Sequence, residues 1–251
     1  MGRRTRLDVE LVRRRLADSR TSAGELIQGG RVLVGGAPAE KASRLVGPGE
    51  AIHVVGPPDR FVSRGGEKLD HALVHFAVDV TGRRVLDAGA STGGFTDCVL
   101  QRGARHVVAV DVGHGQLHPR IRHDPRVTVH EGLNVRCLTC PVIGGQVDIV
   151  VADLSFISLR TVIPALVDVL GTGGSLVALV KPQFEAGRVE VARVKGVVTD
   201  PAVHRRVCDD VAEALEEAGT RVQGWVTSPI TGARGNREFL VHAVSTSGEQ
   251  R

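Results

Sequence analysis

From Arg84 onward the chain alternates continuous apolar runs with helix-like stretches, and this rhythm constrains its fold more than any other feature. The runs are RRVLDAG, HVVAVDV, VDIVVADLSF, SLVALVKPQ and FLVHAV. Helical patterns lie between several of them, over Phe95–Arg102, Ser158–Leu170 and Val203–Ala218. A strand apolar on both faces must be covered on both faces, and helices between parallel strands provide that cover. The spacing therefore predicts an α/β fold, a Rossmann-like, mostly parallel, doubly wound sheet. In such a sheet ligands bind beyond the carboxyl ends of the strands.

Composition narrows the classes further. Hydrophobic residues make up 42% and charged residues 24% of the 251, so the chain can build a packed core and is not disordered. Aromatics are 3%, with one Trp and no Tyr, which argues against an aromatic stacking platform as the main binding surface. No apolar run approaches the roughly 18 residues of a membrane-spanning helix. The basic N-terminus is not followed by the apolar stretch of a secretory signal. Four cysteines are too few for a disulfide scaffold. These features predict a soluble, cytoplasmic protein.

The net charge of +4 lies entirely in residues 1–60, which hold 11 Lys/Arg against 7 Asp/Glu. Such asymmetry points to a polyanionic partner. Leu7, Leu11 and Leu16 fall near helical spacing with Arg13, Arg14 and Arg15 between them, and Ser22 with Glu25 forms a capping-box pattern for a second helix. Leu26 and Ile27 should face the core, and Gly29-Gly30 should end that helix. Two short strands then lead to Gly56-Pro57-Pro58, the best linker in the chain. The expected organisation is residues 1–57, a linker at 58–61, and a second domain at 62–247. Arg3, Arg4, Arg13, Arg14 and Arg15 are the foremost candidates for phosphate contacts, joined by Arg6, Arg20 and Arg64. The segment Arg6–Val55, with its signature in Arg6–Gly36, resembles the small RNA-binding domain shared by ribosomal protein S-four and pseudouridine synthases, and the resemblance implies that the basic face of its two helices contacts folded RNA.

Asp87-Ala-Gly-Ala-Ser-Thr-Gly-Gly-Phe95 follows the strand at Arg84–Leu86 and opens a helix. Small residues there let the backbone turn tightly against a ligand. Ser91 stands where a dinucleotide fingerprint needs its second glycine, and no phosphate-binding G-x-x-x-x-G-K-[ST] loop is present. The pattern looks like motif I of S-adenosylmethionine-dependent methyltransferases. That likeness implies a cofactor cradle of Asp87, Gly89, Ala90, Ser91, Thr92, Gly93, Phe95 and Thr96. Asp111 would hold the ribose, with Asn134 and Asp153 on the adenine side.

Asp153 and Lys181 each end an apolar strand, Lys68 lies in FVSRGGEKL, and Glu238 lies in a glycine-rich turn before the last strand. Singly, each reads equally well as a surface or strand-end charge. The ordered motifs VSRGGxKL, DAGASTGGFTD, ADLSFISL, LVKPQFE, KGVVTDP and GNREFL resemble the TlyA family of rRNA 2′-O-methyltransferases, whose catalytic domain is of the FtsJ type. The resemblance implies a catalytic tetrad of Lys68, Asp153, Lys181 and Glu238. It also implies ribosomal RNA or ribosomal subunits as partner, with cytidines of 16S and 23S rRNA as targets. Glu67 and Leu133 depart from that family's pattern. A catalytically silent RNA-binding protein and a membrane-active haemolysin are the alternative readings. Cys137-Leu-Thr-Cys140 lacks the second ligand pair that zinc requires, and His114 and His118 read as surface residues, so no metal is expected.

Overall fold

The structure is a computed structural model and describes residues 4–17, 19–56, 59–232 and 235–246. The chain divides into two compact units, Met1–Arg60 and Phe61–Arg251.

The first unit runs β1 (Thr5–Arg6), α1 (Leu7–Arg13), α2 (Arg20–Gln28), β2 (Val32–Val34), β3 (Ala37–Pro38), β4 (Leu45–Val46) and β5 (Ile52–Val54). β1 pairs antiparallel with β4, and β3, β2 and β5 form a second small sheet. Leu7, Leu11, Leu26, Ile27, Val32 and Val46 make its core. Two details differ from the sequence expectation. The second helix is capped by Ser19, whose hydroxyl accepts the Ser22 amide at 3.1 Å, so the helix starts three residues earlier than the Ser22–Glu25 pattern predicts. Four short strands follow α2 where the sequence predicts two, because Gly35 and Gly36, both at positive φ, fold β3 back on β2.

The second unit continues with α3 (Gly65–His75), β6 (Arg84–Ala88), α4 (Gly94–Gln101), β7 (His106–Asp111), α5 (Pro119–Arg122), β8 (Val127–Glu131) and α6 (Cys140–Ile143). β9 (Val147–Ala152), α7 (Leu159–Asp168), β10 (Leu170–Val180), α8 (Pro182–Glu185), α9 (Arg188–Arg193), α10 (Pro201–Glu217), β11 (Thr220–Thr227) and β12 (Phe239–Ser245) follow. One seven-stranded sheet has the order β11-β12-β10-β9-β6-β7-β8. Its members from β8 to β10 are parallel, and β12 runs antiparallel to both β10 and β11. Successive strand residues supply opposite faces, so Val108, Val150, Leu176 and Ala178 join one core, and Val107, Ile149, Val151 and Val177 join the other. The sheet is therefore doubly wound, as the apolar runs predict. Strand β11 and helix α3 have no counterpart in the sequence reading. In β11 polar residues alternate with half-buried ones, which conceals the strand from a search for continuous apolar runs.

Candidate active site

The carboxyl ends of β6, β7, β9 and β10 gather the residues of interest. After β6 the chain turns sharply. Gly89 has φ of +88°, and a Cβ on it would lie 2.5 Å from the Asp153 carbonyl oxygen, so only glycine fits. The amides of Gly89 and Ala90 both donate to the Val110 carbonyl, at 2.9 and 3.1 Å. Ser91, also at positive φ, donates its amide to Asp111 Oδ2 at 2.8 Å, and Gly113 donates to Asp111 Oδ1 at 2.7 Å. The turn and the end of β7 are thus held together by one carboxylate. Ala90, Ser91 and Asp111 line a cleft with Gln116, Leu117, Val129 and His130. Thr92 faces the same region through its carbonyl, which accepts the His118 amide at 3.1 Å.

Asp87 is fully buried beneath this turn. Burial pushes its carboxyl up to about 7, against the opposing hydrogen bond from Thr96 Oγ1 at 2.6 Å. Among the described residues its Oδ1 has no hydrogen-bond partner. A buried acceptor left without a donor fits an amino-bearing ligand above the turn. Phe95 is 3% exposed and packs in the core beside Ala90 and Val99. Asn134 caps the short 3₁₀ turn Val135–Cys137 by accepting the Arg136 amide at 3.0 Å.

The four tetrad positions form two ion pairs. Lys68 Nζ lies 2.6 Å from Glu238 Oε2, and the two residues are 9% and 3% exposed. Lys181 Nζ lies 2.5 Å from Asp153 Oδ1, a contact off the line of a hydrogen bond, and donates to Ser155 Oγ at 2.9 Å. Buried charges persist only when paired, and each ammonium here has its carboxylate. Lys68 reaches the site because α3 packs tightly on the start of α4. A Cβ on Gly94 would lie 2.2 Å from Ser63 Oγ, and one on Gly66 would lie 2.3 Å from the Phe61 ring. Those close approaches explain the glycines of the RGG and TGG motifs. Glu238 is seated in the turn before β12, where a Cβ on Gly232 would come within 2.3 Å of its Oε1.

Sequence reading misses several residues that complete the site. Phe156 is 90% exposed, holds φ of +65°, and sets its ring 5.2 Å from that of Phe184. A large residue at positive φ is a strained placement, and this one carries an aromatic ring into solvent next to Ser155. Glu185, 7% exposed, accepts from Ser158 Oγ at 2.6 Å and from the Leu159 amide at 2.7 Å. Asn236, 2% exposed, bonds both Gly196 and Val198. The motifs ADLSF, LVKPQFE and GNREFL contain these residues, but exposure and partners are tertiary properties that no spacing reveals.

The arginines of the first unit are more constrained than their sequence suggests. Arg6 and Arg20 both grip Asp8, each at 2.9 Å, and Arg13 and Arg14 both grip Glu10, at 2.6 and 2.7 Å. Arg14 also donates to the Glu50 and Pro48 carbonyls at 2.7 and 3.1 Å, and Arg4 pairs with Glu50 at 2.6 Å. Asp8 and Glu10 are buried, and the arginine hydrogen bonds hold both carboxyls down to about 2. Arg15, at φ of +58°, is exposed. In the second unit Arg64 is exposed at the start of α3, and Arg3 lies outside the described residues. Among the described residues no group of three His, Cys, Asp or Glu side chains is placed to hold a metal ion, and no helix is long and apolar enough to cross a membrane.

A seven-stranded sheet with only its last strand, β12, reversed, a glycine turn after the first core strand and an acid ending the second define a Rossmann-like methyltransferase, joined here to a small α+β unit. Residues 61–244 match the FtsJ-like methyltransferase family, and residues 5–52 match the S4 domain. The chain is 52% identical over 242 residues to the 16S/23S rRNA (cytidine-2′-O)-methyltransferase TlyA of Mycobacterium tuberculosis, covering 96% of this chain and 90% of that one. It is 35% identical to Hemolysin A of Brachyspira hyodysenteriae, covering 95% and 99% of the two. A solved structure from Streptococcus thermophilus, carrying a hemolysin designation, superposes with a TM-score of 0.78 at 39% identity, over 98% of this chain and 90% of the other. The chain belongs to the TlyA family of rRNA methyltransferases.

Proposed function

We infer that this protein transfers the methyl group of S-adenosylmethionine to the ribose 2′-hydroxyl of a cytidine in 16S rRNA, 23S rRNA or both. The observation that carries this reading is the two lysine–carboxylate contacts beside the glycine turn, the buried pair Lys68–Glu238 and the pair of buried Lys181 with half-buried Asp153. When bound, the cofactor supplies an electrophilic methyl group on a sulfonium centre. Asp87, Gly89 to Gly93 and Asp111 would hold it. The unpartnered Asp87 Oδ1 suits its ammonium, and the Asp111 carboxylate suits its ribose hydroxyls.

A ribose 2′-hydroxyl is a weak nucleophile and must shed its proton as its oxygen bonds to carbon and the carbon–sulfur bond breaks. Lys181 and Asp153 receive the hydroxyl: the ammonium stabilises the charge developing on the oxygen, and the proton passes through the pair to water. Lys68 and Glu238 fix the other side of the sugar. Holding the oxygen in line with the methyl group contributes as much as removing the proton. Phe156 offers the target base a ring to stack on, so a single exposed aromatic does locally what an aromatic surface does elsewhere. Residues 1–57 serve as the anchor on folded RNA, read by shape and backbone.

The test uses 30S and 50S subunits from a strain lacking this protein, incubated with purified protein and tritiated S-adenosylmethionine. Ribose methylation is then mapped by nuclease-resistant dinucleotides. Label that appears with the wild-type protein and vanishes with Lys181→Ala is expected. Cofactor binding without label on either rRNA would overturn the reading and favour the binding-only alternative.

A further inference from the structure

Asn236 ties two segments together from within. Its Nδ2 donates to the Gly196 carbonyl at 2.9 Å, and its Oδ1 accepts the Val198 amide at 2.9 Å. Its own carbonyl accepts the Gly232 amide at 2.9 Å. From the other side, His204 of α10 bonds the Val198 carbonyl at 2.9 Å. The segment after α9 is therefore fastened to the turn that carries Glu238, and both ends of a buried amide are satisfied in doing so.

Two cations flank this fastening. Lys195 precedes Gly196 and is exposed, with φ of +52°. Arg237 is exposed between buried Asn236 and buried Glu238. Neither has an ion-pair partner among the described residues, so both are available to an anion, as are several other exposed arginines of this unit. Arg237 thus stands one residue from the carboxylate that holds Lys68. Every ribose in an RNA strand has a phosphate on either side, so a sugar delivered to the tetrad brings negative charge to this rim.

We propose that Lys195 and Arg237 form a phosphate clamp for the RNA strand that bears the target ribose, with Asn236 as the positioning residue that fixes the clamp to the Glu238 turn. The proposal rests on the RNA methyltransferase reading and names where that substrate is gripped outside the first unit.

The test is filter binding of 30S and 50S subunits from the same deletion strain across a potassium chloride series, using the full chain. Removing one cation that neutralises a phosphate should flatten the slope of log affinity against log salt by about 0.7 to 0.9. The double variant K195A/R237A should therefore lose about 1.5 from the slope of the subunit it binds as substrate, with calorimetric S-adenosylmethionine affinity unchanged. N236A should flatten the slope although both cations remain. An unchanged slope in K195A/R237A overturns the clamp. Should N236A misfold, the double variant, which alters only exposed side chains, carries the test alone. Wild-type protein that binds with the steeper slope but transfers no methyl group overturns the functional reading and leaves the clamp standing. Methylation by the wild type with no slope difference overturns the clamp alone.

Discussion

Glu185 accepts the backbone amide of Leu159 at 2.7 Å and so caps α7 from another part of the chain. The local cap position, Ser158, makes no cap bond of its own; its hydroxyl donates to the same carboxylate at 2.6 Å. Glu185 lies four residues beyond Lys181, and Leu159 lies six beyond Asp153. One buried carboxylate therefore closes the two strand-end segments that bear the Lys181–Asp153 pair and the Phe156–Phe184 contact.

Glu185→Ala should lower methyl transfer by about 10- to 100-fold, since a small misplacement of reacting groups is that costly. Glu185→Gln keeps an acceptor for Leu159 and should restore most of it. Steady-state kinetics on subunits distinguish the two, with the loss expected in kcat and the KM for S-adenosylmethionine unchanged. Equal activity of both variants and wild type would refute the positioning role.

Removing a member of the tetrad should act on the chemical step. Lys181→Ala is expected to lower kcat by about 10²- to 10³-fold, the range for loss of a group that stabilises developing charge. Glu238→Gln strands the Lys68 ammonium without its carboxylate and should both slow transfer and lower the melting temperature. Single-turnover methylation and thermal melts check the two effects.

Asp87 makes stability fall with rising pH. Its carboxyl stands at about 7 when folded because burial opposes ionisation, against an ordinary value of 3.8. Between those values the folded chain binds more protons than the unfolded chain, so its stability declines as pH rises through the window. Asp87→Asn lacks this slope. Wild type should lose melting temperature relative to Asp87→Asn between about pH 4 and pH 7, as differential scanning fluorimetry reads. If Asp87 holds the cofactor ammonium, S-adenosylmethionine binding at about pH 7 should also release a proton, measurable by calorimetry in buffers of different ionisation enthalpy.

Asp8 and Glu10 have the opposite sign. Their carboxyls are held at about 2 by arginine hydrogen bonds, so the stability they give the first unit is complete above the ordinary carboxylate range and lost as pH falls toward 2. Arg14→Ala removes bonds to Glu10 and to the 47–50 carbonyls and should destabilise the first unit. Hydrogen exchange over residues 5–54 should report the opening.

Phe156→Gly should hold or raise the melting temperature, because glycine adopts φ of +65° without strain, while methylation falls. A parallel loss of both would mean that the ring packs rather than binds.

Much of this architecture is legible in the sequence because it rests on local rules. Continuous apolar runs expose doubly covered strands, and Asp87 to Gly93 announce a turn that only small residues permit. Lys181 and Asp153 are visible as charges directly after such runs. Helix α3 is not, since its start is a Gly-Gly pair that local propensity reads as a break and only packing on Phe61 and Ser63 makes helical. The Ser19 cap is masked by the more recognisable Ser22–Glu25 pattern. Phe95 follows a cofactor motif yet points into the core, and the arginines of the first unit look free in the sequence because their carboxylates become partners only through folding.

Gly89 has a further consequence. With 2.5 Å between a notional Cβ and the Asp153 carbonyl, the turn proposed to grip the methyl donor and the strand end proposed to meet the acceptor are mechanically one part. Any change that pushes on one displaces the other. Donor affinity and acceptor alignment in this fold cannot be adjusted separately at that joint, and variants selected for tighter cofactor binding there will inherit a misaligned sugar.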